Sequence, residues 1–550
     1  MDKKKIALLS NVTVDLIGAK LRKEYDLYIP EGYDTWIQEV INTSSDLYQD
    51  KIDAVILLID GTEARDWDGV ADASDKIALW KQAVSALVDN TSSVPIFIST
   101  IDVRENRIKA YSERKYAYDI ENDWYQFIQS LSENKKNVFV FDLKDTITDI
   151  GRNAFYSDKM YYLSSMPYSR EGLGAVVEDI KRMLDSVFSA RKKIIVLDLD
   201  NTLWGGVIGE DGIEGIELSN HKEGERFYDF QRQILEMKNR GVVLAVNSKN
   251  NTDEALNAME KHPNMLLRPD DFVSLKINWN DKASNIKEIS SELNLTEGSF
   301  IFIDDNPIER SIVSGECPDV TVPDFPQDTT TLRSFAEEVY FRYCRPLRLL
   351  DEDLKKTQMY KNEAKRKQEL SNSLDLDEYI SKLEICVDIH KMRPEEQERV
   401  VQLCNKTNQF NVTTKRYTAS DIKRMSDDDG ADIYVVYSKD KYGDNGLISV
   451  LIVKYHNDHA EIDTFLMSCR VMGRKLENII MNELIKSFPE HIEKIIASYI
   501  PTAKNAPVKD LFDRLGFKPV SENEGSKNYE LFSDDFEKCD ESIYKEIIFE

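Results

Sequence analysis

The stretch Ile194-Ile-Val-Leu-Asp-Leu-Asp-Asn-Thr-Leu-Trp204 decides how the middle of this chain folds. Its first four residues read as a short buried strand, and Asp198 and Asp200 follow just past the strand's C-terminal end. In an open α/β sheet that edge is where ligands bind. Two carboxylates alternating around Leu199 can share a hard cation such as Mg²⁺ and still leave one oxygen free to attack phosphorus. Taken alone, the pattern also suits a solvated strand end with a turn at Asn201.

Three later elements bear on that choice. The strand-like Val242 to Val246 runs into Asn247-Ser248-Lys249, where a hydroxyl and main-chain N–H groups can hold phosphate oxygens. Lys282 precedes a helix-like run, and Phe300-Ile-Phe-Ile-Asp-Asp-Asn-Pro307 ends another apolar strand in Asp304 and Asp305. Strand ends supplying carboxylates, a hydroxyl and a cation suit a phosphoryl site, because an anionic nucleophile meets an anionic substrate only if metal and lysine offset the repulsion. This ordered set, from Lys192 to about Arg345, resembles the haloacid dehalogenase (HAD) superfamily of phosphotransferases. The resemblance implies Asp198 as nucleophile and Asp200 as general acid/base. It further implies Ser248 and Lys282 as phosphate ligands, and Asp198, Asp200, Asp304 and Asp305 around Mg²⁺. The insert after Trp204, GGVIGEDG, leaves little room for a cap domain, so the site is expected to admit bulky substrates, including one tethered to a protein.

Working outward, residues 1–190 alternate short apolar runs (Ile6 to Leu9, Ala54 to Ile59, Val94 to Ile98, Val138 to Leu143) with longer mixed stretches, as in a parallel α/β sheet. Leu8-Leu-Ser-Asn11 and Asp60-Gly-Thr-Glu63 sit where motifs of SGNH esterases fall. A serine esterase needs a base beside its hydroxyl, and the six histidines, His221, His262, His390, His456, His459 and His491, all lie later. This SGNH-like α/β domain is therefore expected to be a non-catalytic docking or scaffold domain, with Ser10 in a strand-end turn. The HAD Rossmann-like α/β domain is expected over 191–346.

Residues 347–378, rich in Glu, Lys, Arg and Ala, read as a helical connector. Beyond them, 379–550 mixes strands and helices as an α+β domain. Its Ser468-Cys-Arg-Val-Met-Gly-Arg-Lys475 opens a helix with basic charge and a glycine, which offers N–H groups to phosphate. The turn resembles the acyl-CoA loop of Gcn5-related N-acetyltransferases (GNAT), with Arg470 and Gly473 matching and Lys475 departing from the small residue expected. The resemblance implies Arg470, Gly473, Arg474 and Asn505 as binders of CoA or pantetheine. The polar run Asn405 to Tyr417 around Phe410 suits a binding loop or a turn capped by its own side chains.

Together DLDNTLWGGVIGEDG, FIDDNPIER, MYKNEAKRKQEL, TNQFNVTTKRY, SCRVMGRKLE and YIPTAKNAPV resemble the FkbH-like proteins, HAD subfamily IIIC, over nearly the whole chain. The family implies removal of phosphate from a phosphorylated three-carbon acid such as 1,3-bisphosphoglycerate and loading of the glyceryl unit on the phosphopantetheine thiol of an acyl carrier protein. Carrier proteins are acidic, so Lys415, Arg416, Arg470, Arg474 and Lys475 are candidates for docking one. Some relatives carry Cys where this chain has Asn247, and no cysteine precedes Cys317. That leaves Cys469 as the candidate thiolate for an acyl-enzyme, against its reading as a small buried thiol. A plain phosphatase acting on a small metabolite or sugar phosphate, and a non-catalytic biosynthetic scaffold, are the competing functions.

Composition sets outer limits. The 550 residues allow three or four domains. With 72 Lys+Arg against 99 Asp+Glu, the net charge of −27 repels a polyanion, so no nucleic-acid partner is expected. No apolar run approaches the roughly 20 residues of a membrane helix, and Ile6 to Leu9 is too short for a signal peptide. The six cysteines form no CxxC pairs, which points to reduced thiols and a cytoplasmic setting.

Overall fold

The computed structural model describes residues 3–64, 70–91, 94–105, 108–112, 116–349, 354–371, 373–428, 430–489, 491–502, 504–523 and 525–550. They form two compact units, one of residues 1–290 and 295–354, the other of residues 355–550 with 291–294. The division differs from the sequence expectation in two ways. The boundary at 190/191 falls inside the first unit, where Arg182 pairs with Glu338 at 2.6 Å and Arg342 with Glu178 at 2.7 Å. The expected connector 347–378 is largely part of the second unit. Its helix Lys356–Ser371 is anchored by a bidentate pair from Arg366 to Asp440 (2.8 and 2.9 Å). Tyr379, Ile380 and Leu383 of the following helix, Leu376–Leu383, enter the core.

The first unit holds two sheets. In one, β1 (Lys5–Ser10), β2 (Asp26–Tyr28), β3 (Ala54–Leu58), β4 (Ile96–Ser99) and β5 (Val138–Phe141) run parallel in the order β2-β1-β3-β4-β5. The Ser10 hydroxyl donates to the Leu58 carbonyl at 2.7 Å and accepts from the Val12 N–H at 3.2 Å. It is thus held in a strand-end turn, as expected. The side chain of Glu63 lies outside the described residues.

The other sheet is β6 (Ile194–Leu197), β7 (Val243–Ser248), β8 (Phe272–Ile277) and β9 (Phe300–Ile303), all parallel, in the order β8-β7-β6-β9. All four residues of β6 are buried, as in a strand covered on both faces. The helix Glu225–Asn239 packs Phe227, Phe230, Ile234 and Met237 into the same core as Ile195 and Leu197. It stops where Gly241 takes a φ of +86°, a left-handed turn that glycine adopts without strain. Leu197 pairs with Val246 on one side and Ile303 on the other, so one residue further on Asp198 stands between Asn247 and Asp304. The insert after Trp204 is a short helical stretch, Ile208–Gly215, kinked at Gly212, with no separate domain between β6 and β7.

The second unit is built on one mixed sheet of β10 (Cys386–Lys391), β11 (Ala431–Asp440), β12 (Gly443–Tyr455), β13 (His459–Met467), β14 (Lys494–Tyr499), β15 (Lys518–Asn523), β16 (Ser526–Phe532) and β17 (Glu546–Phe549). Their order is β15-β16-β14-β13-β12-β11-β10-β17. The run β10 to β13 is antiparallel, and β13 joins β14 in parallel through the crossover helix Leu476–Ser487. No helix among the described residues is long and apolar enough to cross a membrane.

Candidate active site

The register of the second sheet brings the predicted residues together at its carboxyl edge. The Asp198 N–H continues the ladder by donating to the Ile303 carbonyl at 3.0 Å. Lys282, the first residue of the helix Lys282–Leu293, places Nζ 2.9 Å from Asp198 Oδ2 and also binds Asp304 Oδ2. Burial alone would lower this lysine's pKa, but the two carboxylates outweigh it and raise the value above normal. Asp198, Asp304 and Asp305 each bring one carboxylate oxygen within 4.8 Å of the others. Burial and the Asp198 charge push Asp304 and Asp305 up to about 6.

These groups fit a divalent cation. Asp198 Oδ1 is buried and, among the described residues, has no hydrogen-bond partner. An oxygen so placed is free to take a ligand. Three carboxylates against one lysine also leave an excess of negative charge that a hard cation offsets.

Asp200 corrects the expected metal set. Its side chain does not join the three carboxylates, because Oδ1 accepts from Trp204 Nε1 (2.9 Å) and the Ile208 N–H (3.1 Å) while Oδ2 accepts from Asn250 Nδ2 (2.9 Å). Ser248, at the end of β7, is buried, and its hydroxyl accepts from Asn250 at 3.2 Å.

Sequence reasoning missed the residues that hold this set. Asn247 donates to the Lys282 carbonyl at 2.9 Å and accepts from Asn285 Nδ2 at 2.9 Å. Arg310 donates to the carbonyls of Asp304 (2.8 Å) and Asp305 (2.7 Å), fixing the paired-aspartate turn. The Asp305 N–H donates to Thr202 Oγ1 at 3.2 Å. Asn247 stands beside Ser248, and Thr202 and Arg310 fall inside the DLDNTLW and FIDDNPIER stretches, but no spacing reveals these contacts.

The residues expected to bind pantetheine behave differently. Gly473 has the φ of +79° that a tight turn requires, and Arg470 is exposed. Arg474, however, is 2% exposed and turned inward. Its NH1 lies 3.3 Å from Asp440 Oδ2, and its NH2 reaches Glu363 Oε2 at 3.4 Å and the Arg470 carbonyl at 2.8 Å. Asn505 is fully buried. It donates to the carbonyls of Asn411 (3.0 Å) and Ile500 (2.9 Å) and accepts from the Thr502 N–H (2.7 Å) and Tyr499 hydroxyl (3.2 Å). Neither presents a side chain to a ligand, which corrects that expectation. Among the candidate docking cations, Lys415 pairs with Asp463, Lys475 with Asp377, and Arg416 with the Cys404 and Thr407 carbonyls. The Cys469 side chain lies outside the described residues. Burial pushes the Cys344 and Cys404 thiols up to about 12, which removes them as nucleophiles at neutral pH.

Neither a family model nor a curated protein matches this sequence. Among solved structures, the N-terminal part of the protein BF1531 from Bacteroides fragilis, containing a phosphatase domain complexed with Mg, is 26% identical with a TM-score of 0.55. The match covers 63% of this chain and 95% of that one. That share is close to the first unit's part of the chain. The GNAT domain of PAT from S. lividans is 16% identical, with a TM-score of 0.22, over 26% of this chain and 89% of that one. Aminoglycoside acetyltransferase AAC(6')-Ib in complex with coenzyme A is 13% identical, with a TM-score of 0.21, over 27% and 96%. The first unit thus shares a HAD-type phosphatase fold, and the second is an α+β unit built on one mixed sheet with a parallel β13–β14 crossover.

Proposed function

We propose that this protein is a Mg²⁺-dependent phosphatase or phosphotransferase that works through Asp198. The observation that carries the proposal is the free, buried Asp198 Oδ1 beside Lys282, Asp304 and Asp305. Asp198, Asp304 and Asp305 would hold the cation, which when bound neutralises phosphate oxygens and so lets an anionic nucleophile approach. A carboxylate oxygen of Asp198 attacks phosphorus, a P–O(Asp) bond forms, and the bond to the leaving oxygen breaks. Lys282 offsets charge on the transferred group, and Ser248 donates its hydroxyl hydrogen to a phosphate oxygen. Asp200, oriented by Trp204, Ile208 and Asn250, gives the leaving oxygen its proton and then takes one from the water that cleaves the aspartyl-phosphate.

For the whole chain we propose, on its FkbH-like motifs, a phosphorylated three-carbon acid such as 1,3-bisphosphoglycerate as substrate. The phosphopantetheine thiol of an acyl carrier protein in the cytoplasm would attack the acyl carbon, the C–S bond forming as the bond to the acyl phosphate breaks and that phosphate leaves, while Asp198 would take the phosphoryl group of the remaining phosphate ester. The short insert after Trp204 supports a protein-tethered substrate, because no inserted domain sits between β6 and β7. Plain phosphatase action on a small metabolite is the second reading, favoured by the inward-facing Arg474.

Intact-mass spectrometry of a holo carrier protein incubated with the enzyme, Mg²⁺ and enzymatically generated 1,3-bisphosphoglycerate tests both, with Asp198→Asn as control. A glyceryl mass gain that depends on Asp198 is expected. Phosphate release with an unmodified carrier establishes the plain phosphatase, and no phosphate release from any of a panel of phosphorylated acids and sugars overturns the phosphoryl reading.

A further inference from the structure

The sheet of the second unit opens at one place. β13 and β14 pair in parallel only from His459↔Lys494 to Ile462↔Ala497, and beyond Ile462 they part. The outer half of β13 keeps β12 on one side, with Phe465 opposite Leu451 and Met467 opposite Ser449. On the side where β14 has left, its main-chain groups face a fork. An extended ligand bearing amides, such as the pantetheine arm that a GNAT-like fold implies, would fit there by pairing as an added strand.

That fork is filled by the chain itself. Asn411 bridges Leu466 in antiparallel fashion. The Val412 N–H donates to the Phe465 carbonyl at 3.1 Å, and the Met467 N–H donates to the Phe410 carbonyl at 3.0 Å. On the far side the Ile500 N–H, just past β14, donates to the Val412 carbonyl at 2.9 Å, and Asn505 donates to the Asn411 carbonyl at 3.0 Å. Residues 410–412 are therefore an extended segment lying along the outer half of β13 and bonded both to it and to the chain just past β14. Phe410, Asn411 and Val412 are all buried, with the Phe410 ring 5.5 Å from that of Phe465 in a T-shaped pair.

The start of the crossover helix, where such a cofactor's pyrophosphate would meet the main-chain N–H groups, carries a buried acid. Glu477, in the first turn of the helix Leu476–Ser487, is 7% exposed, with Oε1 3.5 Å from Arg514. A buried carboxylate there already meets the helix dipole and repels a second anion. Arg474, the cation next to that turn, is committed to Asp440 and Glu363, and the Tyr544 hydroxyl caps its carbonyl at 2.8 Å.

From these contacts we infer that residues 410–412 close the second unit's fork to CoA and to carrier-bound phosphopantetheine, so that this unit holds no thiol cofactor within its sheet. The residues present do not fit the cofactor that the fold suggests. The inference does not depend on the activity at Asp198.

Hydrogen–deuterium exchange of the full-length protein, with and without millimolar CoA or 4′-phosphopantetheine, tests it. The peptides covering 408–413 and 463–468 are expected to exchange at least about 100-fold more slowly than unstructured chain, with no change on adding either compound. Binding of CoA that leaves those peptides unchanged places it outside the fork and supports the inference. Fast exchange of both peptides in the free protein, or a change in either on adding CoA or phosphopantetheine, overturns it. As a second variant, Asn505→Ala should speed exchange in 408–413 by removing the clamp on Asn411. Unaltered exchange there would show that the segment is not held as described.

Discussion

Asn247 donates its side-chain amide to the main-chain carbonyl of Lys282 at 2.9 Å, so the residue beside Ser248 fixes the start of the helix that delivers the site's lysine. Asn285 completes the arrangement by donating to Asn247 Oδ1. An asparagine here is therefore a positioning group, and its lack of a thiol does not leave the phosphoryl site short of a part. Asn247→Ala removes the side-chain donor to a buried carbonyl and one of the two acceptors of the Asn285 amide, a cost of about 1–3 kcal/mol in stability. Displacing Lys282 is expected to lower kcat for phosphate release about 10- to 100-fold. Urea unfolding and steady-state kinetics check both, and a folded variant with unchanged kcat would show that the lysine is held by something else.

A cation bound at Asp198, Asp304 and Asp305 must also stabilise the fold, since the unfolded chain offers no such site. At a free Mg²⁺ concentration 100 times its dissociation constant the gain is about 2.7 kcal/mol. Thermal unfolding of the full chain is expected to shift upward with MgCl₂, and Asp304→Asn to lose that increment because one of three clustered carboxylates is gone. An equal Mg²⁺ shift in wild type and variant would place the cation elsewhere.

The legible parts of the molecule were those with one-dimensional signals. The strand ends at Asp198, Ser248 and Asp304 follow apolar runs, and a parallel sheet lines such ends up by register alone. Lys282 is legible only by its order in a motif, since β8, the strand before its helix, has Ser274 and Lys276 breaking its apolar run. Asp200 was assigned to the metal from its spacing, but the loop Leu203 to Ile208 folds back and supplies it with donors that no spacing reveals. The second unit was hardest. β15 is exposed throughout, and the strand-like role of residues 410–412 depends on where β14 departs from β13, a long-range fact with no local signature. Arg474 looked like an anion binder because basic residues near a glycine turn often are, whereas its partners Asp440 and Glu363 lie far away in the chain.

Those partners give Arg474 a structural role that can be measured. Arg366 and Arg474 both reach Asp440, whose side chain is fully buried. Arg366 keeps its bidentate pair with Asp440 when Arg474 is removed, so the loss is that of Arg474's own charge-assisted bonds, about 1–3 kcal/mol. Arg474→Ala should therefore lower the urea midpoint of the second unit substantially. Arg470→Ala, at an exposed position, should stay within about 0.5 kcal/mol of wild type. The opposite ranking would return Arg474 to the surface as a ligand-binding group.

Asp463 links residues 410–412 to the pH response of the second unit. Burial opposes its ionisation, but Lys415, Lys454 and Tyr417 all donate to its carboxylate and together hold it down at about 2. Lys415 and Tyr417 follow directly after residues 410–412, so this one carboxylate ties that segment's trailing end to β13. In the unfolded chain an aspartate titrates near about 3.9. The folded value is the lower one, so the contribution is fully present above about pH 4 and is lost as the pH falls towards 2. Asp463→Asn should be less stable than wild type at pH 7, and the gap should narrow between about pH 4 and pH 2 as the wild-type carboxylate takes up its proton. Urea midpoints for both proteins at pH 7, 4 and 3 measure this. A gap that stays constant across that range would mean that shape rather than charge at Asp463 holds the segment, and would remove acid as a means of loosening it from the fork.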